Sequence, residues 1–221
     1  MNKVAILIPT MNRSEFLIRQ LSYYASVNNP HPIYVGDASD EEHKERNQSA
    51  IEGLQSQIKI HYNHWPKLNN RQTNLRLAEM ATEQYCAWTG DDDFLVPGSL
   101  NECAKFLKDH SDYRTAQGKG ILFSLQNSGA YGELKDCGAY WARKEAVAES
   151  GSKRLLNFGA NYWVPVFSVH RTVEFCNDMQ DGNNIADLSF DRELTQGYLM
   201  ICRGKSKFLD CLYLVREGHN Q

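Results

Sequence analysis

The sequence predicts an α/β fold, a mixed and mainly parallel sheet flanked by helices in the Rossmann-like manner, and three observations carry that reading. Val4-Ala5-Ile6-Leu7-Ile8 is an unbroken apolar run closed by Pro9, the pattern of a strand covered on both faces. Strand-like and helix-like stretches then alternate, the order that crossover connections between parallel strands require. Three of the strand-like runs end in polar clusters, and ligands of open α/β sheets bind beyond the carboxyl ends of strands.

The elements follow in order. Ser14 is placed as the N-cap of a first helix, with Glu15 in its first turn and Leu17, Leu21 and Tyr24 at helical spacing up to Asn28-Asn29-Pro30. Ile33-Tyr34-Val35 is the second strand; it runs into the turn-forming Gly36-Asp37-Ala38-Ser39-Asp40 and a charged helix over 41–54. Ile58-Lys59-Ile60-His61-Tyr62 alternates with period two as a third strand. A helix over 70–83 presents Leu75, Ala78 and Ala81, and a fourth strand, 85–89, stops at Gly90. Pro97-Gly98-Ser99 opens another helix with Leu100, Ala104 and Leu107 on one face. Further strands are expected over 121–125, 163–169 and 208–215, whereas 126–159, rich in Gly, Lys and Glu, shows little regularity. No repeat, low-complexity tract or linker divides the chain, so one domain over 1–221 is expected.

With 221 residues, 42% hydrophobic and 23% charged, the composition is that of an ordinary globular protein. A chain this long buries roughly 70% of its unfolded surface, so its core needs no disulfide. The six cysteines are scattered, without a C-x-x-C or a zinc-like spacing, and read as reduced thiols of a cytoplasmic protein. Val4 to Ile8 is too short for a signal sequence, and nothing approaches the ~20 apolar residues of a membrane helix. A net charge of −3 argues against nucleic acid as a partner.

The polar clusters are Thr10-Met11-Asn12-Arg13, Asp37-Ala38-Ser39-Asp40 and Asp91-Asp92-Asp93. Consecutive carboxylates at a strand end repel one another, and a bound cation relieves that repulsion. Hard oxygen ligands suit Mg²⁺ or Mn²⁺, which usually bind one or two carboxylates together with substrate phosphates. Each cluster alone reads as a solvated turn or helix lead-in; together at one sheet edge they point to a metal-diphosphate site.

The same residues carry a resemblance. Val4 to Arg13 with its Pro9, then Gly36-Asp37-Ala38-Ser39, then Gly90-Asp91-Asp92-Asp93-Phe94-Leu95-Val96-Pro97 resemble, in order and spacing, the first hundred residues of the family-2 glycosyltransferases of GT-A fold. The resemblance implies that 1–110 binds the nucleotide sugar and 111–221 the acceptor. Pro9, Thr10, Asn12 and Arg13 would line the nucleotide pocket, Asp37 and Ser39 would lie at a uracil base, Asp91 at the ribose and Arg71 at the diphosphate. Asp92 matches the metal aspartate of the D-x-D motif, whose first aspartate Gly90 replaces; Asp93 is the neighbouring metal candidate. Val215-Arg216-Glu217-Gly218-His219 resembles a tail whose histidine adds a ligand to Mn²⁺ or Mg²⁺.

In the second half, Asp187 and Asp191 stand one helical turn apart, and Asp187 is favoured as the general base. Val164 to Arg171 reads as a strand delivering His170 and Arg171 to the acceptor side. The implied reaction is transfer, with inversion, from a nucleoside diphosphate sugar to a hydroxyl of a saccharide or lipid-linked acceptor, the latter at a membrane surface. Two rival classes are a sugar nucleotidyltransferase, for which Thr10 to Arg13 lacks the Gly-rich basic loop, and a non-catalytic nucleotide-sugar or glycan-binding module, which would not need Asp187.

Overall fold

The computed structural model describes residues 2–140, 144–182 and 194–219. Strand β1 (Val4–Thr10) is buried at every position because parallel partners flank it and helices cover both faces. It pairs with β2 (Ile33–Asp37) on one side and β4 (Tyr85–Trp88) on the other, and β2 pairs in parallel with β3 (Ile60–His64). Helices α1 (Ser14–Ser26), α2 (Glu41–Leu54) and α3 (Asn70–Met80) supply the three connections. Thr10 lies opposite Asp37, and Asp37 opposite His64, so the carboxyl ends of these strands open at one edge. Among the described residues the sheet has nine strands in the order β3-β2-β1-β4-β8-β6-β9-β5, with β7 attached to β6. The expected mixed α/β sheet is the observed architecture.

After β4 come the two-residue β5 (Phe94–Leu95) and helix α4 (Pro97–Asp109), which packs on β6 (Tyr113–Leu125). Then follow β7 (Leu134–Ala139), α5 (Gly151–Ala160), β8 (Val169–Arg171), α6 (Thr172–Gly182), α7 (Leu194–Arg203) and β9 (Lys205–Glu217). Strand β9 runs parallel to β6 and antiparallel to β5, with Phe94 opposite Val215. That pairing returns the last described residues of the chain to the loop of three aspartates. The main core is continuous from Val4 to Leu214 across both halves, and Phe158, Trp163 and Ile201 form a smaller cluster under α5 and α7.

Several boundaries differ from expectation for local reasons. The third strand begins at Ile60 rather than Ile58, because Ile58 N still donates to Leu54 O in the turn that closes α2. The stretch 163–169 is broken by a single 3-10 turn, Pro165–Phe167, since Pro165 has no N–H to donate to a ladder. Ser14 begins α1 without capping it: its hydroxyl is buried and donates to His43 O at 3.0 Å, tying α1 to α2. The charged helix is capped by Asp40, whose side chain accepts from His43 N. Among the described residues no helix is long and apolar enough to cross a membrane. Asp187 and Asp191 lie outside the described residues.

Candidate active site

The turn after β1 bends sharply at Asn12, whose φ of 55° places it in the left-handed region that asparagine tolerates. Two hydrogen bonds hold it there: Ser39 Oγ accepts from Asn12 N at 2.8 Å, and Asn12 Oδ1 accepts from Asp40 N at 3.0 Å. The first and second polar clusters are thereby locked together, and Arg13 is aimed across the strand ends at the third.

Arg13 Nη1 donates to Asp91 Oδ1 at 2.7 Å and Nη2 to Asp92 Oδ2 at 2.8 Å, while its guanidinium lies 4.1 Å from the centre of the Phe16 ring. Thr10 Oγ1 donates to the other oxygen of Asp91 at 2.7 Å. From the far end of the chain, His219 Nε2 comes within 2.7 Å of Asp92 Oδ2 and its ring stands edge-on to Phe16. Burial raises the Asp91 carboxyl to about 6 against the pull of Arg13 and Thr10. Burial also acts to raise Asp92, but His219 and Arg13 together outweigh it and hold this carboxyl below its usual value. A carboxylate kept ionised beside an imidazole is a natural cation ligand. Beside it is a cavity of about 270 Å³ bordered by Thr10, Arg13, Ala38, Asn70, Thr73 and Asp91. A larger apolar groove of about 1010 Å³ lies on the β6–β7–β9 face, but its only charged lining residues, Lys119 and Asp210, are paired with each other.

No protein-family model matches the sequence, and no curated protein matches it. Solved structures do resemble it in three dimensions. Over 98% of this chain and 37% of the other, S. aureus TarS superposes with a TM-score of 0.65 at 13% identity. S. aureus TarS 1–349 in complex with UDP-GlcNAc gives 0.62 at 14% identity, over 99% of this chain and 59% of that one. Its complex with UDP gives 0.59 at 15% identity, over 98% and 60%. The fold is of the GT-A type. This chain spans between 37% and 60% of the length of those similar structures.

Within the GT-A fold, the individual assignments divide. Pro9, Thr10, Arg13 and Asp91 border the cavity, Asp92 and His219 join them through Arg13, and Asn12 and Ser39 are hydrogen-bonded to each other in the adjoining turns. Asp37 is wholly buried behind Ala38, its oxygens accepting from Ser39 N, Asn47 Nδ2 and Tyr62 OH. It holds the floor of the turn, and a base reaching it would have to replace one of these partners. Asp93 is turned inward: Oδ1 accepts from Glu217 N at 3.0 Å, Arg216 Nε lies 3.6 Å from Oδ2, and burial raises its carboxyl to about 7. Asp93, expected beside Asp92 as a metal candidate, instead joins β9 to the loop. A Cβ at Gly90 would stand 2.7 Å from Asp92 Oδ1, so an aspartate there, as in D-x-D, would force Asp92 aside.

Arg71 starts α3 but turns towards α6, its Nη2 3.2 Å from where a Cβ on Gly182 would be; Asn70 and Thr73 face the cavity in its place. His170 and Arg171, expected on the acceptor side, lie at the other end of the sheet from the aspartates. Strand β8 runs antiparallel to β4, from Val169 beside Ala87 to Arg171 beside Tyr85, and therefore leads away from the aspartates. His170 is 2% exposed with Nε2 donating to Val166 O, and Arg171 donates to the carbonyls of Leu107 and His110 at the end of α4 and of Tyr113 at the start of β6.

His170 yields a stability prediction instead. Burial lowers its pKa to about 4, so the folded chain keeps it neutral while the unfolded chain takes up the proton near the ordinary value of about 6.5. The unfolded state then binds more protons as pH falls from about 6.5 to about 4, and stability drops over that window. Denaturant melts at pH 7 and 4.5 should show wild type losing on the order of 2 kcal/mol more than His170→Gln. Equal losses would mean that the buried imidazole titrates normally.

The residues that sequence reasoning missed form a second layer. Arg19 Nη2 pairs with Glu217 Oε2 at 2.5 Å and donates to Asp92 O at 3.1 Å, and Nη1 donates to Ala130 O. Gln20 Nε2 donates to the carbonyls of Gly90 and Asp93. Both side chains sit on α1 and grip the aspartate loop from behind; in the sequence they are merely polar positions of an amphipathic helix.

Proposed function

We propose that this chain binds a nucleoside diphosphate sugar, UDP-linked, at the β1–β2–β4 edge and transfers the sugar to an acceptor hydroxyl. The observation that carries the reading is the meeting of Arg13, Asp91, Asp92 and His219, far apart in sequence, beside a cavity that Arg13 and Asp91 border in a GT-A fold. The UDP-GlcNAc and UDP bound in the similar TarS structures support this donor class.

The donor set suits Mn²⁺ or Mg²⁺. Asp92 Oδ2 and His219 Nε2 offer a carboxylate oxygen and an imidazole nitrogen side by side, and diphosphate oxygens and water would complete the shell. When bound, the ion neutralises charge growing on the departing diphosphate. Thr10 and Asn70 then face the nucleotide portion, and Arg13 supplies a planar donor fork for a phosphate. Asp187, with Asp191 as the alternative, removes the proton from the attacking hydroxyl, and attack from the opposite face inverts the anomeric carbon. A saccharide or lipid-linked acceptor would enter from the side of residues 111–221.

UDP with Mn²⁺ is expected to raise the melting temperature by mass action, and Asp92→Ala to abolish that shift. Asp40→Ala is the control: it removes the α2 cap and lowers the starting melting temperature, by about 1 kcal/mol of stability, yet should keep the full ligand shift. Equal ligand shifts in the two variants, with no effect of Mn²⁺, would remove the metal-diphosphate assignment.

A further inference from the structure

The aspartate pair has a counter-charge within the chain itself, Arg13. Arg13 bridges Asp91 and Asp92 with one nitrogen on each carboxylate, and Asp92 Oδ2, the oxygen it takes, is the one that faces His219. The same Nη2 stands 3.4 Å from His219 Nε2. A divalent cation coordinated between Asp92 and His219 would therefore have a guanidinium on its own ligand oxygen, and two positive charges would compete for one carboxylate. Arg13 is also free to leave. Its side chain is 36% exposed and borders the cavity, where a diphosphate would offer the bidentate partner that a guanidinium fork matches. Asp91 would keep the Thr10 hydroxyl as donor after the exchange.

We propose that Arg13 is a built-in counter-cation that holds the Asp92–His219 pair closed to divalent metal until a diphosphate draws it into the cavity. Metal and diphosphate then promote each other's binding, and by linkage the factor is the same in both directions. This rests on the donor-site reading above, of which it specifies the order and the switch. Arg13 acts here as a positioning residue: it sets when the metal ligands become available.

The test is Mn²⁺ titration of the 221-residue chain, followed by the electron paramagnetic resonance signal of free Mn²⁺. Wild type, Arg13→Gln and Arg13→Lys are each titrated with and without UDP, subtracting the Mn²⁺–UDP association of the solution. Circular dichroism checks that the folds agree. Arg13→Gln removes the charge, and is expected to bind Mn²⁺ alone about tenfold more tightly than wild type while losing much of the tightening that UDP produces. Arg13→Lys keeps the charge and should bind Mn²⁺ alone as weakly as wild type. If Arg13→Gln binds Mn²⁺ alone no better than wild type while UDP still tightens both, the counter-cation is overturned and the donor site stands. If none of the three proteins binds Mn²⁺ even with UDP, the metal reading and this inference fall together.

Discussion

Replacing Asp187 with asparagine is expected to leave UDP and Mn²⁺ binding at the wild-type level while lowering sugar transfer by about 10²–10⁴-fold, the usual contribution of a general base. The amide keeps the shape of the side chain but lacks the basicity to accept the hydroxyl proton. Titration calorimetry reads the donor, and product formation with an acceptor found by screening reads the transfer. Asp191→Asn is the internal comparison, four residues further along. Wild-type transfer by Asp187→Asn together with loss in Asp191→Asn would exchange the two roles, and full activity of both would place the base elsewhere.

Arg19→Met is expected to destabilise the fold by about 3–5 kcal/mol, the cost of leaving one member of a buried ion pair without its partner. Arg19 is 12% and Glu217 2% exposed, so little water remains to screen the charge left behind. The change also releases the carbonyls of Asp92 and Ala130, so UDP–Mn²⁺ affinity should fall along with stability. Urea unfolding of Arg19→Met, Glu217→Gln and the double variant decides the matter. The double variant should lose clearly less than the two single losses added together, because each single change already breaks the same bond. A loss below about 0.5 kcal/mol for Arg19→Met, the range of an ordinary surface substitution, would show the pair to be dispensable.

The N-terminal half was legible because its signals are local. An apolar run such as Val4 to Ile8 reports burial on both faces, and Gly36 to Asp40 reports a turn before a helix. Strand alternation also reports which ends of the strands share an edge, since parallel crossovers put every carboxyl end on the same side. Thr10, Asp37 and Asp91 therefore gather as expected. The second half was read less well. The apolar character of 163–169 does not tell which way a strand runs beside its neighbour, and the antiparallel β8 carries His170 and Arg171 to the opposite end from the aspartates.

What the sequence by itself determined is the α/β alternation, the edge at which three polar clusters meet, and the residue types gathered there. Only the tertiary structure decided which carboxylate does what. Asp92 faces outward to Arg13 and His219, whereas Asp93, its neighbour in the chain, faces inward to close β9 onto the loop. The partners that settle this are far away in sequence, 127 residues between Asp92 and His219 and 198 between Arg19 and Glu217. An ion pair depends on the distance between two charges and on the water excluded around them. Both are properties of the packed chain, and neither leaves a periodic trace along it.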